Sequence, residues 1–334
     1  MMHHAQSYWR SVWSHFKRNR LSVVGLWVSI GLIAIALLAD FIANDQPYYM
    51  VYQGKTYFPI VQTYLDRLGL LPLPEALRQA DFTTLTPEQA IFPPVPYRPN
   101  RIDLLSPLEE PSPDHWLGTD TLGRDVLSGI IHGSRISLSI GFVSIGIALS
   151  IGLMLGAIAG YFGGWIDLVI SRLFELMLGI PTLFLIITIA ATLTPNIFYT
   201  MMVIGLTSWV GIARLTRNEF LKVRNYDYVT AAVALGTPTR RILIRHILPN
   251  ALAPVLVSVV LGIASAILTE SGLSFLGIGV PPDLITWGSL INEARSNTFA
   301  WWLAVFPGAA ILLAVVSYYL VGEGLRDALD PRLT

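Results

Sequence analysis

Six runs of mostly apolar residues, each long enough to cross a lipid bilayer, constrain this chain most strongly. A bilayer core of about 30 Å requires about 20 helical residues, because an α-helix rises about 1.5 Å per residue. Hydrophobic residues make up 53% of the 334 residues and charged residues 13%, which is more apolar surface than one soluble core needs. The sequence therefore predicts an all-α integral membrane protein with six transmembrane helices, over Leu21–Ile42, Leu138–Gly160, Ile170–Leu193, Tyr199–Leu215, Ala251–Thr269 and Ala300–Val321.

Basic residues predict the orientation of these helices, because short loops rich in lysine and arginine stay in the cytoplasm. They precede the first run and recur between the fourth and fifth, at Arg10, Lys17, Arg18, Arg20, Arg214, Arg217, Lys222, Arg224, Arg240, Arg241 and Arg245. We therefore expect both termini on the cytoplasmic side of the membrane. A cleaved signal peptide is the alternative for the first run, but the run is longer than a signal-peptide core.

The predicted domains follow this topology. Residues 1–45 form an N-terminal segment with the first helix, residues 46–134 an extracytoplasmic segment, residues 135–327 the transmembrane domain and residues 328–334 a cytoplasmic tail. The extracytoplasmic segment is rich in proline, and a hairpin is expected around Gly54. We expect a small, partly irregular insertion there, for which a functional role and a passive spacer both remain open.

Three local patterns predict how the helices pack. A stripe of small residues in the second helix would allow close approach of another helix, either of this chain or of a partner, and comprises Ser144, Ala148, Gly152, Gly156 and Gly160. Pro181 should kink the third helix, because it removes a backbone hydrogen bond. Arg172 and Glu175 are three residues apart and can pair on one helical face.

A stretch of the basic loop predicts two short helices joined by a rigid elbow. Asp227 is the expected N-cap of the first helix, and Gly236 the residue after its end, where φ is positive. Thr237 would cap the second helix, with Pro238 at its first position. Arg240 and Arg241 then fall in a first turn, where the helix dipole disfavours cations, so retention of topology or an acidic partner surface must explain them.

This loop resembles the cytoplasmic signature loop of ABC importer permeases, written Glu-Ala-Ala, three residues, Gly, nine residues, Ile-x-Leu-Pro. Thr230 stands where that pattern has its acid. The resemblance implies an ATPase-coupling loop, residues 217–249, whose main members are Asp227, Tyr228, Ala231, Ala232, Ala234, Leu235, Gly236, Arg240, Arg241, Ile247, Leu248 and Pro249.

Other segments resemble the same family. They are His115–Val126, Gly160–Asp167, Glu270–Gly277 and Gly322–Pro331. Together they are similar to C-type permeases of the dipeptide, oligopeptide and nickel ABC importers. The enlarged outer segment is closest in layout to the microcin C and oligopeptide branch.

The family implies a type I ABC importer permease fold and a set of partners. These are a second, homologous permease, cytoplasmic ATPase subunits that carry ATP and magnesium, an extracytoplasmic solute-binding protein and membrane lipid. Nucleic acid is not expected, since acidic and basic residues are equal in number. Gly54-Lys55-Thr56 lacks the first glycine of a phosphate-binding loop, so we expect no nucleotide site in this chain. Its six histidines are scattered without zinc-like spacing and no nucleophile converges with a base, so we expect no catalytic residue, cofactor or metal either.

Glu270 and Ser274 are candidates for the translocation path, since a peptide carries an ammonium group. An equal alternative gives Glu270 a role in anchoring a re-entrant-looking segment, Ser271–Val280. The expected function is peptide import, with nickel or another metal complex as the alternative substrate. An ion-coupled secondary transporter is the rival class, and it would require acidic residues in mid-membrane.

Overall fold

The structure, a computed structural model, describes residues 10–72, 74, 82, 85, 87–281 and 283–329. Most of these residues are helical. In chain order the helices are α1 (Arg20–Leu37), α2 (Ala39–Ile42), α3 (Pro59–Arg67), α4 (Val126–Phe162), α5 (Gly164–Leu178), α6 (Thr182–Thr192), α7 (Ile197–Arg224), α8 (Asp227–Ala234), α9 (Thr239–Ile242), a π-helical turn (Leu243–Ile247), α10 (Leu248–Phe275), α11 (Trp287–Ser296) and α12 (Trp302–Leu329). Residues 10–16 are also helical.

The predicted count of six membrane helices agrees with five long apolar helices and one bent pair. The five are α1, α4, α7, α10 with the turns that precede it, and α12. The pair, α5 and α6, meets at 79° and counts as a sixth span only if both helices belong to one crossing. The third run was therefore predicted wrongly as one kinked helix. Pro181 is the N-cap of α6 and has an extended ψ of 115°, so the helix ends before it and restarts after it.

The chain divides into two compact units. The first contains residues 1–30, 139–281 and 311–334. Its helices approach closely where small residues meet. A β-carbon at Gly25 would lie 2.8 Å from the Ser317 carbonyl oxygen, and the Ser29 hydroxyl donates to the Ser317 hydroxyl at 3.1 Å. Hydroxyls that bond between helices satisfy polar groups that lipid would leave unpaired.

The second unit contains residues 31–138 and 282–310 and includes a small sheet. Its strands are β1 (Tyr49–Tyr52), β2 (Lys55–Tyr57) and β3 (Gln89–Ile91), antiparallel in the order β2-β1-β3. Tyr52 pairs with Lys55 across the hairpin. Gln53 and Gly54 both have positive φ, which a two-residue hairpin of this handedness requires. The expected hairpin is thus present, whereas the third strand was not foreseen from the sequence.

Tryptophan side chains connect the segments of this second unit. The indole N–H of Trp287 donates to the Ile130 carbonyl at 3.0 Å, and that of Trp302 donates to the Thr119 carbonyl at 3.0 Å. Both rings are fully buried. Each tryptophan therefore contributes apolar burial together with a satisfied polar group.

Candidate functional site

The elbow within the predicted coupling loop begins with α8. Its N-cap is Tyr226, with no side-chain cap, and Asp227 is the first helical residue. The prediction of Asp227 as N-cap was therefore wrong by one position. An acidic side chain in the first turn still interacts favourably with the helix dipole, which explains why aspartate suits this place.

The end of α8 is fixed by Gly236, as predicted. Its φ is +74°, a conformation that residues with a β-carbon rarely adopt. The Gly236 N–H donates to the Val233 carbonyl at 2.9 Å, and the Thr237 N–H to the Ala232 carbonyl at 3.1 Å. These two bonds form a Schellman motif, which satisfies the last carbonyls of the helix.

The second half of the elbow differs from the prediction. Pro238 is the N-cap of α9, with ψ of 139°, so Thr237 does not cap it and the helix begins at Thr239. This helix is not separate either, because it continues through the π-helical turn into α10. Pro249 explains the turn. A proline has no N–H and its ring clashes with the carbonyl four residues before it, whereas a π turn widens the backbone and lets Leu248 N–H bond to the Leu243 carbonyl.

The inner face of the elbow packs in a hydrophobic cluster. Its fully buried members are Phe220, Val223, Val229, Ile242, Ile247 and Ala251, which come from α7, α8, α9, the π turn and α10. The ring of Tyr228, the residue before Val229, lies 6.4 Å from that of His246, and partial burial raises the pKa of the Tyr228 hydroxyl. The elbow is therefore held on the ends of two long helices.

The outer face of the elbow is exposed and apolar at its tip. Leu235 has 86% of its surface exposed and Val233 54%. Ala231, Ala234, Arg240, Arg241 and Pro249 are exposed as well, whereas Ala232 and Leu248 are half-buried. An apolar tip with basic neighbours, on a rigid support, has the features of a protein-binding surface.

The small-residue stripe of α4 packs against α7 of the same chain, so the intrachain alternative is the one the structure shows. A β-carbon at Gly152 would lie 2.9 Å from the Trp209 carbonyl oxygen, and one at Gly160 would lie 2.6 Å from that of Arg217. Ser144 donates its hydroxyl to the Met201 carbonyl at 3.0 Å. Ala148 is fully buried in the same row.

Two ion pairs lie on α5. Arg172 bonds to Glu175 as predicted, and both side chains are more than half exposed. Asp167 accepts two bonds from the Arg217 guanidinium on α7, one of them at 2.6 Å, and this pair is mostly buried. The sequence assigned Arg217 only to the basic loop, because spacing along the chain carries no signal for a contact between residues so far apart.

Glu270 and Ser274 are both buried within this chain. The Ser274 hydroxyl donates to the Glu270 carboxylate at 2.7 Å. After Glu270, α10 continues to Phe275, and the chain turns at Gly277, with φ of +76°, so Ser271–Val280 begins as helix. The contacts described for Glu270 therefore favour a role in holding the helix end, and its place on a translocation path stays a prediction.

A buried charge network in the second unit was not predicted. Arg124 bonds to Asp120 and, at 2.9 Å, to Glu293, which also accepts from the Thr121 hydroxyl at 2.7 Å. Burial, with the nearby Asp120 charge, raises the pKa of Glu293. The network ties the segment before α4 to α11, and within the described residues no three histidines or acids form a metal-binding group.

Comparison with known families gives two matches. The family described as binding-protein-dependent transport system inner membrane component matches residues 152–334. The N-terminal transmembrane domain of oligopeptide transport permease C matches residues 7–64.

Curated relatives cover most of the chain. The inner membrane ABC transporter permease protein YejE of Escherichia coli is 35% identical over 96% of both chains. The dipeptide transport system permease protein DppC of Alkalihalophilus pseudofirmus is 34% identical over 98% of this chain and 91% of the relative. A putative peptide permease of Brucella suis is 41% identical over 71% of this chain and 80% of its own. Among solved structures, the MetNI methionine ABC transporter aligns over 59% of this chain and 94% of its own, with 17% identity and a TM-score of 0.46.

Proposed function

This chain belongs to the family of binding-protein-dependent transport system inner membrane components, and from that premise we propose that it imports peptides as one of two permeases. It is a multi-pass inner membrane subunit of an ABC transporter. Relatives named for dipeptide or peptide transport support a peptide as the substrate. Cytoplasmic partner subunits then hydrolyse ATP. An extracytoplasmic binding protein delivers the peptide.

One observation carries the coupling part of this proposal, namely the exposed apolar tip at Leu235 on a rigid elbow. An exposed leucine at the end of a fixed helix gains about 1.5–3 kcal/mol when a partner buries it. Arg240 and Arg241 next to it favour an acidic rim on that partner. The tip therefore suits a groove on an ATPase subunit.

The elbow can transmit movement because its inner face is packed. Val229 of α8 and Ile247 of the π turn share one cluster with Phe220 of α7. A partner that pushes the tip therefore displaces the ends of α7 and α10 with it, since packed interiors move as bodies and deform little. Closure of the ATPase subunits would then reach the membrane helices directly.

A charge at the tip should separate this permease from its ATPase subunits. In L235D an aspartate would have to enter an apolar groove without a partner, so we expect at least about tenfold less ATPase to copurify. The matched control is L70D, which charges another exposed leucine, one of the outer segment that is 69% exposed. Equal ATPase recovery from L235D and L70D would contradict the proposed docking surface.

The proposed orientation has its own test, which the absence of cysteine from the sequence makes simple. Single cysteines at Lys55 and Leu235 give one unique label each, and both positions are exposed. In intact spheroplasts we expect a membrane-impermeant maleimide to label K55C and to spare L235C until the membrane is opened. Labelling of L235C from outside would overturn the orientation.

A further inference from the structure

A cavity of about 530 Å³ lies in the second unit, among α2 with the residues that follow it, the helix α3 and the first turns of α4. Its volume falls within the usual range of small-ligand sites, about 300–1,000 Å³. Much of its wall comes from the outer segment, for which the sequence left the role open. Three arginines line it, Arg67, Arg98 and Arg135, and we call it the arginine-lined cavity.

Arg135 has a structural role at the rim of this cavity. Its guanidinium donates to the Ala36 carbonyl at 2.9 Å and to the Asp40 carboxylate at 3.0 Å. The Tyr64 hydroxyl donates to the same carboxylate oxygen. The cation thus caps the last carbonyls of α1, where it also interacts favourably with the helix dipole, and Asp40 is already satisfied.

Arg98 is also paired, because it bonds to Asp45, which is mostly buried. His132 donates its Nε2 hydrogen to the Ala43 carbonyl at 2.7 Å and is thereby oriented. Among the described residues, the arginines and carboxylates that line the cavity or pair with its arginines are therefore three arginines and two carboxylates, Asp40 and Asp45. One positive charge is in excess.

Arg67 supplies that excess charge. It lies in the last turn of α3 and is exposed, and among the described residues no carboxylate comes within ion-pair distance of it. Gln46, mostly buried, accepts a bond from the Thr63 hydroxyl at 3.1 Å through Oε1, which leaves its amide hydrogens as donors in the cavity wall. A cation and an amide donor together suit a ligand with several acceptor oxygens.

We propose that the arginine-lined cavity binds an oxyanion, either a carboxylate or a phosphate, through Arg67 and Gln46. A carboxylate would come from the C-terminus of a peptide, and a phosphate from a lipid headgroup or from solution. Arg67 also stabilises the end of α3 as a helix-terminal cation, but that role needs no ligand. The site itself does not depend on peptide transport, because phosphate has the same chemistry.

The test uses the full chain in lipid nanodiscs and three soluble probes: trialanine, trialanine amide and inorganic phosphate. R67Q keeps polarity but removes the charge-assisted bond, so we expect the Kd of the bound probe to rise about tenfold. K55Q is the control, because Lys55 is an exposed cation of the same segment outside the cavity wall. Native mass spectrometry counts retained phosphatidylglycerol in both variants.

Each outcome bears on the site. Binding of trialanine but not of its amide, weakened in R67Q alone, assigns a peptide carboxylate. Binding of phosphate, or retention of phosphatidylglycerol, that weakens in R67Q alone assigns a phosphate. If no probe or lipid binds, or if R67Q and K55Q behave alike, the oxyanion site is refuted, and peptide import measured with the whole complex remains a separate question.

Discussion

The variant G236V is expected to lose most of the substrate-stimulated ATP hydrolysis of the assembled complex, by about tenfold. Gly236 has φ of +74°, and a residue with a β-carbon loses about 1–2 kcal/mol in that conformation, with a larger loss for a β-branched side chain. A β-carbon there would meet no atom within 4 Å, so the strain is confined to the backbone. The end of α8 must then shift, and the tip at Leu235 with it.

The control for this experiment is G236N, since asparagine tolerates the left-handed conformation much better. We expect G236N to keep most of the stimulation, and both variants to assemble with their partners. ATP hydrolysis would be measured on purified complexes with and without loaded binding protein. Full stimulation in a normally assembled G236V complex would remove the elbow from the coupling mechanism.

The variant G156A is expected to destabilise the permease strongly, although it adds only a single methyl group. A β-carbon at Gly156 would lie 2.4 Å from the Ala213 carbonyl oxygen and 2.7 Å from the Thr216 β-carbon. Backbone atoms cannot rotate away, so α4 and α7 must separate and lose contacts along the stripe. Overpacking of this kind costs about 1–3 kcal/mol, which corresponds to a fall in Tm of about 1–5 °C for a chain of this length.

G146A provides the matched control on the same helix. Gly146 is exposed, and a β-carbon there would meet no atom within 4 Å. Alanine is the better helix former by about 1 kcal/mol, so the Tm of G146A should stay level or rise. Thermal unfolding of both purified variants in one detergent makes the comparison. Similar Tm values for G156A and G146A would show that the close contact is not needed for stability.

The long helices were predictable because their signal is local. A long run of apolar residues is enough to predict a membrane helix, and the small-residue stripe of α4 predicts a close contact along one face. The positive φ of Gly236 was predictable for the same reason, since the need for glycine is a property of one residue. Capping positions were wrong by one residue, because both Asp227 and Tyr226 are compatible with the start of α8 until the ψ angle is known.

Contacts between distant residues account for what the sequence did not predict. Arg217 meets Asp167, and Arg124 meets Glu293, only after the helices have packed. The third strand pairs with β1 through backbone N–H and C=O groups, which every residue except proline possesses, so the side chains of Gln89–Ile91 indicate little about this pairing. The third apolar run is broken into two helices and not merely kinked, because Gly179 and Pro181 lie close together in the sequence and both residues weaken a helix.

The π-helical turn has a mechanical consequence. Conversion to regular α-helix would remove one residue from the turn and rotate the preceding elbow by about 100° relative to α10. Pro249 disfavours that conversion, since its ring would collide with the carbonyl of Arg245, at a cost of about 3 kcal/mol or more. The orientation of the elbow around the axis of α10 is therefore held. A rotation of the elbow is then transmitted to α10.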